Sequence, residues 1–257
     1  MSIRLRQIAL VAEKLAPVID DFKNIFGLEV CYIDPGVKEF GLENSLVPVG
    51  NNFIEVVAPI RENTAGGRYL KRRGGDGGYM VICQCDSAAT HAARKARAAK
   101  LNVRLAWEHA TDTYHGMQLH PADTGGSFLE IDFDVKNEPE GNWWPAGGSK
   151  WPSAKRTEVV SGYNAVELQS PDPRGLAERW SSIVEIPLRK DKKDRIEMPL
   201  DNAVVRFVEA TDGRGEGLGG IDIVVADRKR LLEAAQRRGR RVSDDQVNIG
   251  GVRFYLV

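Results

Sequence analysis

One pattern of apolar and polar positions occurs four times along the chain. It consists of an apolar strand, an acidic turn, an amphipathic helix, and short strands of which the last is apolar. The copies span residues 6–30 with 51–59, 79–105 with 126–133, 164–188 with 203–210, and 219–243 with 250–257. A repeat of this length predicts an architecture built from one supersecondary unit.

The first copy shows why each unit is expected to fold as strand, helix and strands. Ile8 to Val11 form a continuous apolar run, as in a strand that is covered on both faces. From Pro17 onward apolar residues recur at three- and four-residue spacing until Gly27, which predicts an amphipathic helix between these two residues. One face of the helix is expected to pack on the sheet.

The helix of the second copy carries a row of small residues and a row of long polar ones. We expect the small residues to pack closely on the sheet and the polar ones to face water. The small residues are Ala89, Ala92, Ala93, Ala96 and Ala99, and the polar ones are His91, Arg94, Lys95 and Arg97.

A segment without periodicity separates the second copy from the third. It is rich in Pro, Gly and Trp, which favours a boundary between two domains. The predicted organisation is therefore an N-terminal pair of units at 1–137, a linker at 138–156 and a divergent C-terminal pair at 157–257. The linker's Trp143, Trp144 and Trp151 are expected to pin it to the body by apolar burial; the alternative is a lid over a ligand.

Composition narrows the setting. The 36 basic and 36 acidic residues balance, so charge points neither to nucleic acid nor to an acidic membrane. The three cysteines favour reduced thiols, because Cys83 and Cys85 are two apart on one predicted strand. There is no signal-peptide pattern and no stretch near about 18 apolar residues. We expect a cytoplasmic protein.

Nearly the whole chain resembles a known family, most strongly over residues 3–134. The segments QIALVAEKL, FGLEV, FIEVVAP and LHPADTGGSFLEID are similar to those of the vicinal oxygen chelate superfamily, which includes glyoxalase I, methylmalonyl-CoA epimerase, bleomycin-resistance proteins and extradiol dioxygenases. The resemblance implies an α+β fold of four βαβββ modules, arranged as two cup-shaped domains of paired modules. It also implies metal ligands on the first and last strands of each module, where the ion stabilises charge on a substrate oxygen.

The family's ligand positions are only partly filled by the expected residue types. They fall on Gln7 and Glu55 in the first module, and on Met80 and Glu130 in the second, with Tyr79 replacing Met80 if the register shifts by one. Carboxylate and amide oxygens suit Mg²⁺ or Ca²⁺ better than Zn²⁺, Ni²⁺ or Co²⁺. The resemblance thus implies a divalent cation, of open identity, held by Gln7, Glu55 and Glu130. If either strand lies at a sheet edge, its acid is instead solvated.

All four histidines of the chain precede Glu130, and two of them are further candidates. His120 matches the family's His-Pro turn and is a candidate catalytic group, while His115 and Tyr79 are candidates for ligand binding. The alternative for both histidines is a structural or surface hydrogen-bonding role.

The C-terminal half departs further from the family pattern. Its closing strands carry Arg206 and Arg253 in place of acids, and no histidine follows His120. Dioxygenase chemistry is not expected, because that branch of the family draws its Fe²⁺ histidines from this half. The arginines could receive a carboxylate or phosphate of a ligand. The alternative is that they pair with acids of the chain, such as Glu167, Glu197 or Asp222.

Two functions follow from the sequence. The first is a glyoxalase- or epimerase-like lyase or isomerase acting on a small oxygenated substrate, with Glu55 and Glu130 as catalytic or metal-binding acids. The second is a metal-free small-molecule binding protein of the bleomycin-resistance type. Four modules in one chain can pair internally, so both a monomer and a homodimer are compatible with the sequence.

Overall fold

A computed structural model describes residues 2–143 and 146–257 of the chain. Trp144, one of the three predicted linker anchors, lies outside the described residues. The chain forms two mixed sheets of seven strands each, with helices packed on them. The expected α+β class is confirmed.

The first module begins the first sheet. Its elements are β1 (Ile3–Val11), α1 (Leu15–Asp21, continued by a π turn at Phe22–Phe26), a 3₁₀ helix (Pro35–Phe40), β2 (Leu42–Val49) and β3 (Asn52–Pro59). A connecting helix, α2 (Ala65–Arg73), follows. The second module consists of β4 (Gly77–Cys85), α3 (Ala88–Lys100), β5 (Leu105–Ala110), β6 (Tyr114–Leu119) and β7 (Phe128–Asp134).

The second half repeats this order after the short linker helix α4 (Trp151–Ala154). The third module consists of β8 (Val160–Ser170), α5 (Pro173–Val184), β9 (Arg189–Lys190), β10 (Ile196–Pro199) and β11 (Val204–Glu209). The fourth consists of β12 (Gly217–Val225), α6 (Arg228–Arg237), β13 (Gln246–Ile249) and β14 (Val252–Leu256). The strand orders are β2-β3-β1-β4-β7-β6-β5 and β13-β14-β12-β8-β11-β10-β9.

Two of the four modules lack one full strand. In the second and third, three strands follow the helix, as the βαβββ pattern requires. In the first and fourth, the first of these strands is reduced to an isolated bridge, Tyr32 with Leu46 and Arg241 with Val247.

In the turns before α3, α5 and α6, one side chain acts as the N-cap of the helix. Ser87, Asp172 and Asp227 each accept a hydrogen bond from the backbone N–H three residues later, at 3.1, 2.9 and 3.0 Å. Such caps satisfy N–H groups that the first helical turn leaves unpaired. The polar turn of the sequence repeat therefore marks where each of these helices begins.

The chain divides into two compact units that do not follow the two sheets. One unit contains the N-terminal segment through Arg6, Tyr79–Pro139 and Ala165–Leu218; the other contains Gln7–Gly78, Glu140–Asn164 and Gly219–Val257. We call them the second–third unit and the first–fourth unit after the modules that they contain. The boundaries at 137 and 157 stay a prediction.

Each unit has its own core. In the first–fourth unit, the rings of Phe22 and Phe26 stack at 5.8 Å, and Phe254 meets both edge-on at 5.9 and 5.1 Å. In the second–third unit, buried Trp180 donates a 3.0 Å hydrogen bond to the Thr124 carbonyl. Apolar burial of this kind is the main favourable term in folding.

The expected orientation of α3 is wrong. The five alanines of the predicted row are exposed, whereas His91 and Arg94 are only 4% and 1% exposed. Arg94 pairs with Glu185 at the end of α5. The stem of Arg94 covers more apolar surface than a methyl group, and the end of α5 supplies the partner for its charged group.

Three further observations concern the state of the cysteines and the presence of membrane-spanning helices. Cys31, Cys83 and Cys85 are free thiols. Burial raises the pKa of Cys31 and Cys85 to about 12, so both are protonated at neutral pH. Across residues 2–143 and 146–257, no helix combines the length and apolar character needed to span a membrane. The cytoplasmic location stays a prediction.

Candidate functional site

Three polar side chains share one face of the strands β1, β2 and β3. In the register of these strands, Gln7 is opposite Phe53, and Asn44 is opposite Val57. Because side chains on a strand alternate between faces, Gln7, Asn44 and Glu55 point to the same side. All three belong to the first–fourth unit.

These side chains form a buried hydrogen-bonded cluster centred on Glu55. Gln7 Nε2 donates to Glu55 Oε2 at 2.9 Å, and Asn44 Nδ2 donates to Glu55 Oε1. The exposed fractions are 7% for Gln7, 1% for Asn44 and 7% for Glu55. The Asn44 carbonyl oxygen accepts the backbone N–H of Asp34 at 2.9 Å. Glu55 is thus not the solvated edge acid of the alternative interpretation.

Burial raises the pKa of Glu55 from its ordinary value of 4.5 to about 7. The hydrogen bonds from Asn44 and Gln7 lower this pKa, whereas the negative charge of Asp34 raises it. Desolvation disfavours the charged carboxylate more strongly than the two amide donors favour it. Near neutral pH the Glu55 carboxyl can therefore both accept and release a proton.

The linker supplies an aromatic wall beside this cluster. Phe53 lies two residues before Glu55 on the same face, and its ring meets Trp151 edge-on at 5.4 Å. A Cβ atom at Gly147, whose φ is +84°, would lie 2.6 Å from two atoms of the Phe53 ring, so glycine allows the linker to approach. Trp143 and Trp151 are buried, as expected for anchors of the linker.

Glu130 lies on β7 in the second–third unit. It is 7% exposed and opposite Gln118 of β6 and Ile82 of β4. Alternation places Met80 on this face and Tyr79 on the other. The buried Tyr79 ring packs edge-on against Phe128 at 5.0 Å.

A second buried acid accompanies Glu130. Asp132 is two residues later on the same face, and it is opposite Gly116. Burial and the negative charge of Glu130 hold the pKa of Asp132 well above its usual range. A Cβ atom at Gly116 would lie 2.4 Å from the Tyr114 hydroxyl and 3.0 Å from Asp132 Oδ1, so only glycine leaves room for this group.

The predicted ligand set for a cation fits the Glu55 cluster poorly. Both oxygens of Glu55 accept amide hydrogens, and the oxygen of Asn44 is used by Asp34. A cation at Glu55 would meet hydrogen-bearing nitrogens, whereas Mg²⁺ and Ca²⁺ require oxygen ligands. Within the described parts of the chain, no group of three His, Cys, Asp or Glu side chains is placed to hold a metal. Metal binding by Gln7, Glu55 and Glu130 stays a prediction.

The two candidate histidines are not on the Glu130 face. His115 is opposite Phe133, which alternates away from Glu130, and its ring meets those of His91 and Phe133 at 5.6 and 5.8 Å. His120 lies in the turn before β7, where its Nδ1 accepts the Ala122 N–H at 3.2 Å. These contacts favour the structural alternative for both histidines.

Arg206 is neutralised by acids of the chain. Its Nη1 lies 3.5 Å from Glu167 Oε2, and its Nε lies 3.8 Å from Glu197 Oε1, with all three side chains buried. Arg253 donates to the Tyr255 hydroxyl at 2.9 Å. The pairing alternative therefore describes Arg206 better than an anion-binding role does.

Asn44 and Asp132 were not predicted from the sequence as site residues. Asn44 stands in the polar start of β2, and nothing local indicates that its amide reaches Glu55. Asp132 carried a usable signal, because Glu130, Asp132 and Asp134 alternate along a strand that is otherwise apolar.

Comparisons with known proteins address the fold. No family model and no curated protein matches the chain. A variant of 4-hydroxymandelate synthase from Streptomyces coelicolor is similar over 93% of this chain and 75% of its own, with 12% identity and a TM-score of 0.67. A hypothetical protein from Staphylococcus aureus is similar over 100% and 99%, with 13% identity and a TM-score of 0.64.

A variant of methylmalonyl-CoA epimerase from Streptomyces coelicolor matches 51% of this chain and 97% of its own, with 18% identity and a TM-score of 0.43. The synthase, which is the stronger of these two named matches, is a member of the superfamily that the sequence resembles. The resemblance is therefore confirmed: the chain has the fold of the vicinal oxygen chelate superfamily.

Proposed function

We propose that the protein is an enzyme that removes a proton from a carbon atom next to a carbonyl group and then returns it, with Glu55 as the group that accepts and donates the proton. The observation that carries this proposal is the buried Glu55 carboxyl, whose pKa is raised to about 7. General acid–base catalysis is most effective when the pKa of the group lies near the working pH. Isomerases and lyases of the glyoxalase and epimerase type carry out this class of reaction.

The chemistry can be written with groups of the chain alone. The Glu55 carboxylate takes the proton from the carbon, the C–H electron pair forms an enolate, and negative charge develops on the carbonyl oxygen. Gln7 Nε2 gives one hydrogen to Glu55, and its second hydrogen can be donated to that oxygen. Glu55 then returns the proton to the carbon, so atoms and charge balance.

Glu130 lies in the second–third unit, and the proton transfer proposed for Glu55 does not require it. Because it is buried on an apolar strand beside Asp132, Glu130 stays a separate candidate for a catalytic acid. The Glu130→Gln variant tests this role separately from that of Glu55.

The experiment is solvent hydrogen exchange. The protein is incubated in D₂O with acyl-CoA thioesters and with adducts of 2-oxo aldehydes and thiols, and mass spectrometry measures deuterium on the carbon. We expect exchange by the wild type and a loss of at least about 100-fold in Glu55→Gln. Glu43→Gln, which changes an exposed acid on the same strand as Asn44, is the matched control and should retain activity. Equal exchange by Glu55→Gln and wild type would refute the role of Glu55.

Metal titration tests the competing prediction. Mg²⁺, Mn²⁺, Ni²⁺, Zn²⁺ and Fe²⁺ are titrated into the wild type and into a Glu55→Ala/Glu130→Ala variant. We expect the two proteins to bind these ions equally weakly, because amide hydrogens surround Glu55. Stoichiometric binding that the variant loses would instead support a cation at these acids and overturn the metal-free scheme.

The second candidate function is a small-molecule binding protein. The aromatic wall of Phe53 and Trp151 beside Glu55 favours it, because aromatic side chains offer large apolar contact surfaces to ligands. In that case a compound would change Trp fluorescence at saturation, and neither wild type nor Glu55→Gln would exchange its hydrogens.

A further inference from the structure

We propose that Arg238 and Arg240, which share the buried carboxylate of Asp21, form a binding site for the phosphate group of a small molecule. The site is built from the end of α1 and the end of α6, which both belong to the first–fourth unit. It uses no residue of the Glu55 cluster, so it does not depend on the proposed function.

The turn that ends α6 holds the two arginines close together. The Gly239 N–H donates to the Gln236 carbonyl at 3.2 Å. The Arg240 N–H donates to the Ala235 carbonyl at 2.8 Å. These are the two hydrogen bonds of a Schellman motif, which closes a helix at its C-terminus. The side chains of Arg238 and Arg240 therefore extend from a backbone that is fixed by hydrogen bonds.

Asp21 orients both arginine side chains. Arg238 Nε donates to Asp21 Oδ1, and Arg240 Nε donates to Asp21 Oδ2, at 2.6 Å each. Asp21 is 1% exposed, whereas the side chains of Arg238 and Arg240 are 34% and 43% exposed. Because each Nε faces the buried carboxylate, the terminal Nη groups are the part of each guanidinium group that solvent can reach.

The Nη groups of both arginines are available to a ligand. A guanidinium group has five N–H donors, and in the described residues, 2–143 and 146–257, only the Nε donor of Arg238 and of Arg240 has a partner. Two guanidinium groups and one carboxylate also leave a net positive charge. An anion bound by the Nη groups would satisfy the remaining donors and neutralise this charge.

The surrounding sequence increases the positive charge. Residues 228–241 contain seven Lys and Arg side chains and one Glu, although the chain as a whole has no net charge. Of these seven, Arg228 and Arg241 pair with Asp245 and Asp244. A local excess of positive charge attracts anions from solution.

A phosphate group suits this pair of arginines better than a carboxylate does. Guanidinium groups bind both kinds of anion through paired N–H···O bonds. A phosphate monoester carries about two negative charges at neutral pH and three terminal oxygens, so it can accept from both arginines at once. Both arginines are held by one carboxylate, so they define a single point. A nucleic acid backbone instead needs cations spread along its length.

The experiment is a titration of ¹⁵N-labelled protein, followed by NMR of the arginine Nε–H groups at pH 7.5 in 0.15 M NaCl. Arg238→Lys and Arg240→Lys assign the two signals by their absence. Inorganic phosphate and glycerol phosphate are the probes, and the one that binds more tightly shows whether the ligand is the free ion or an ester. We expect both signals to shift together and to saturate.

The variants separate a defined site from diffuse attraction. Arg238→Lys and Arg240→Lys keep the charge but lose the guanidinium group, and each should weaken phosphate binding about tenfold, measured on the remaining arginine signal. Arg240→Gln should weaken it at least as much. Arg230→Gln is the matched control, because it removes an exposed arginine about 12 Å away along α6, beyond the Debye length at this salt concentration. It should change the affinity less than about twofold.

Three results would overturn the proposal. The first is equal phosphate affinity in the wild type and both Lys variants. The second is a loss in Arg230→Gln as large as that in Arg240→Gln. The third is acetate or a short DNA duplex binding as tightly as phosphate, which would assign the surface to another class of anion. If Arg240→Gln does not fold, the Lys variants decide the outcome, because they keep a cation beside Asp21.

Discussion

Replacing Glu55 by Gln should change how stability depends on pH. The pKa of Glu55 rises from an ordinary 4.5 to about 7 on folding. Between these two pH values, Glu55 is protonated in the folded protein and ionised in the unfolded chain. Each pKa unit corresponds to about 1.36 kcal/mol. The carboxylate therefore destabilises the fold by about 3 kcal/mol above pH 7, and this penalty disappears as pH falls through 7 toward 4.5.

Gln is neutral at every pH and so lacks this dependence. Its NH₂ group faces one of the two amide donors, which costs about 1 kcal/mol at all pH values. Relative to wild type, Glu55→Gln should therefore gain about 2.5 kcal/mol of unfolding free energy between pH 5 and pH 8. It should be about as stable as wild type at pH 5 and more stable by about 2 kcal/mol at pH 8.

Urea unfolding followed by circular dichroism at pH 5, 6, 7 and 8 measures this difference. Glu43→Gln, an exposed change in the same sheet, should differ from wild type by a constant and small amount. A difference between Glu55→Gln and wild type that does not change with pH would refute the raised pKa. A difference of the opposite sign would show that Glu55 is a stabilised carboxylate, as expected of a metal ligand.

Two further predictions concern stability away from Glu55. Asp21 is 1% exposed and accepts hydrogen bonds from Arg238 and Arg240 at 2.6 Å each. Asp21→Asn should lower the unfolding free energy by about 2 kcal/mol, and the loss is no larger because both arginines are partly exposed and can hydrate. An unchanged urea midpoint would contradict this prediction. Burial lowers the pKa of His91 below 6.5 in the folded protein. As pH decreases through 6.5, the His91 side chain therefore takes up a proton in the unfolded chain before it does so in the folded protein, and the free energy of unfolding falls. If His91→Gln loses as much unfolding free energy as wild type between pH 7 and pH 5, this prediction is wrong.

Local patterns were sufficient to predict the repeated units. Apolar runs such as Ile8–Val11 became buried strands, because a strand covered on both faces needs no polar positions. Turn residues such as Asp172 and Asp227 became N-caps, because their short side chains reach N–H groups within the same turn. Both effects act over a few residues, so they can be read from the sequence.

The orientation of α3 could not be predicted in this way. Arg94 is buried because Glu185, which is distant in the sequence, provides its partner. The exposed alanine row offers little area for packing. The helical period fixes which residues share a face, and only the neighbouring helix decides which face is buried.

The candidate site shows the same division. The resemblance assigned Gln7 and Glu55 to two ligand positions of the same module. In the structure, Gln7 Nε2 lies 2.9 Å from Glu55 Oε2. The second amide that donates to Glu55 belongs to Asn44, which reaches it only through the pairing of β2 with β3. A one-residue change of that register would turn Asn44 to the other face.

By itself, the sequence determined the strand and helix units and their fourfold repetition, whereas the α+β class and the choice of Gln7 and Glu55 came from the resemblance to the vicinal oxygen chelate superfamily. The units depend on periodicity and on turn residues, which act locally along the chain. The tertiary structure alone decided the buried face of α3, the pairing of Arg206 with Glu167 and Glu197, and the raised pKa of Glu55. The reason is physical: burial, charge pairing and desolvation depend on atoms that folding brings together from distant parts of the chain.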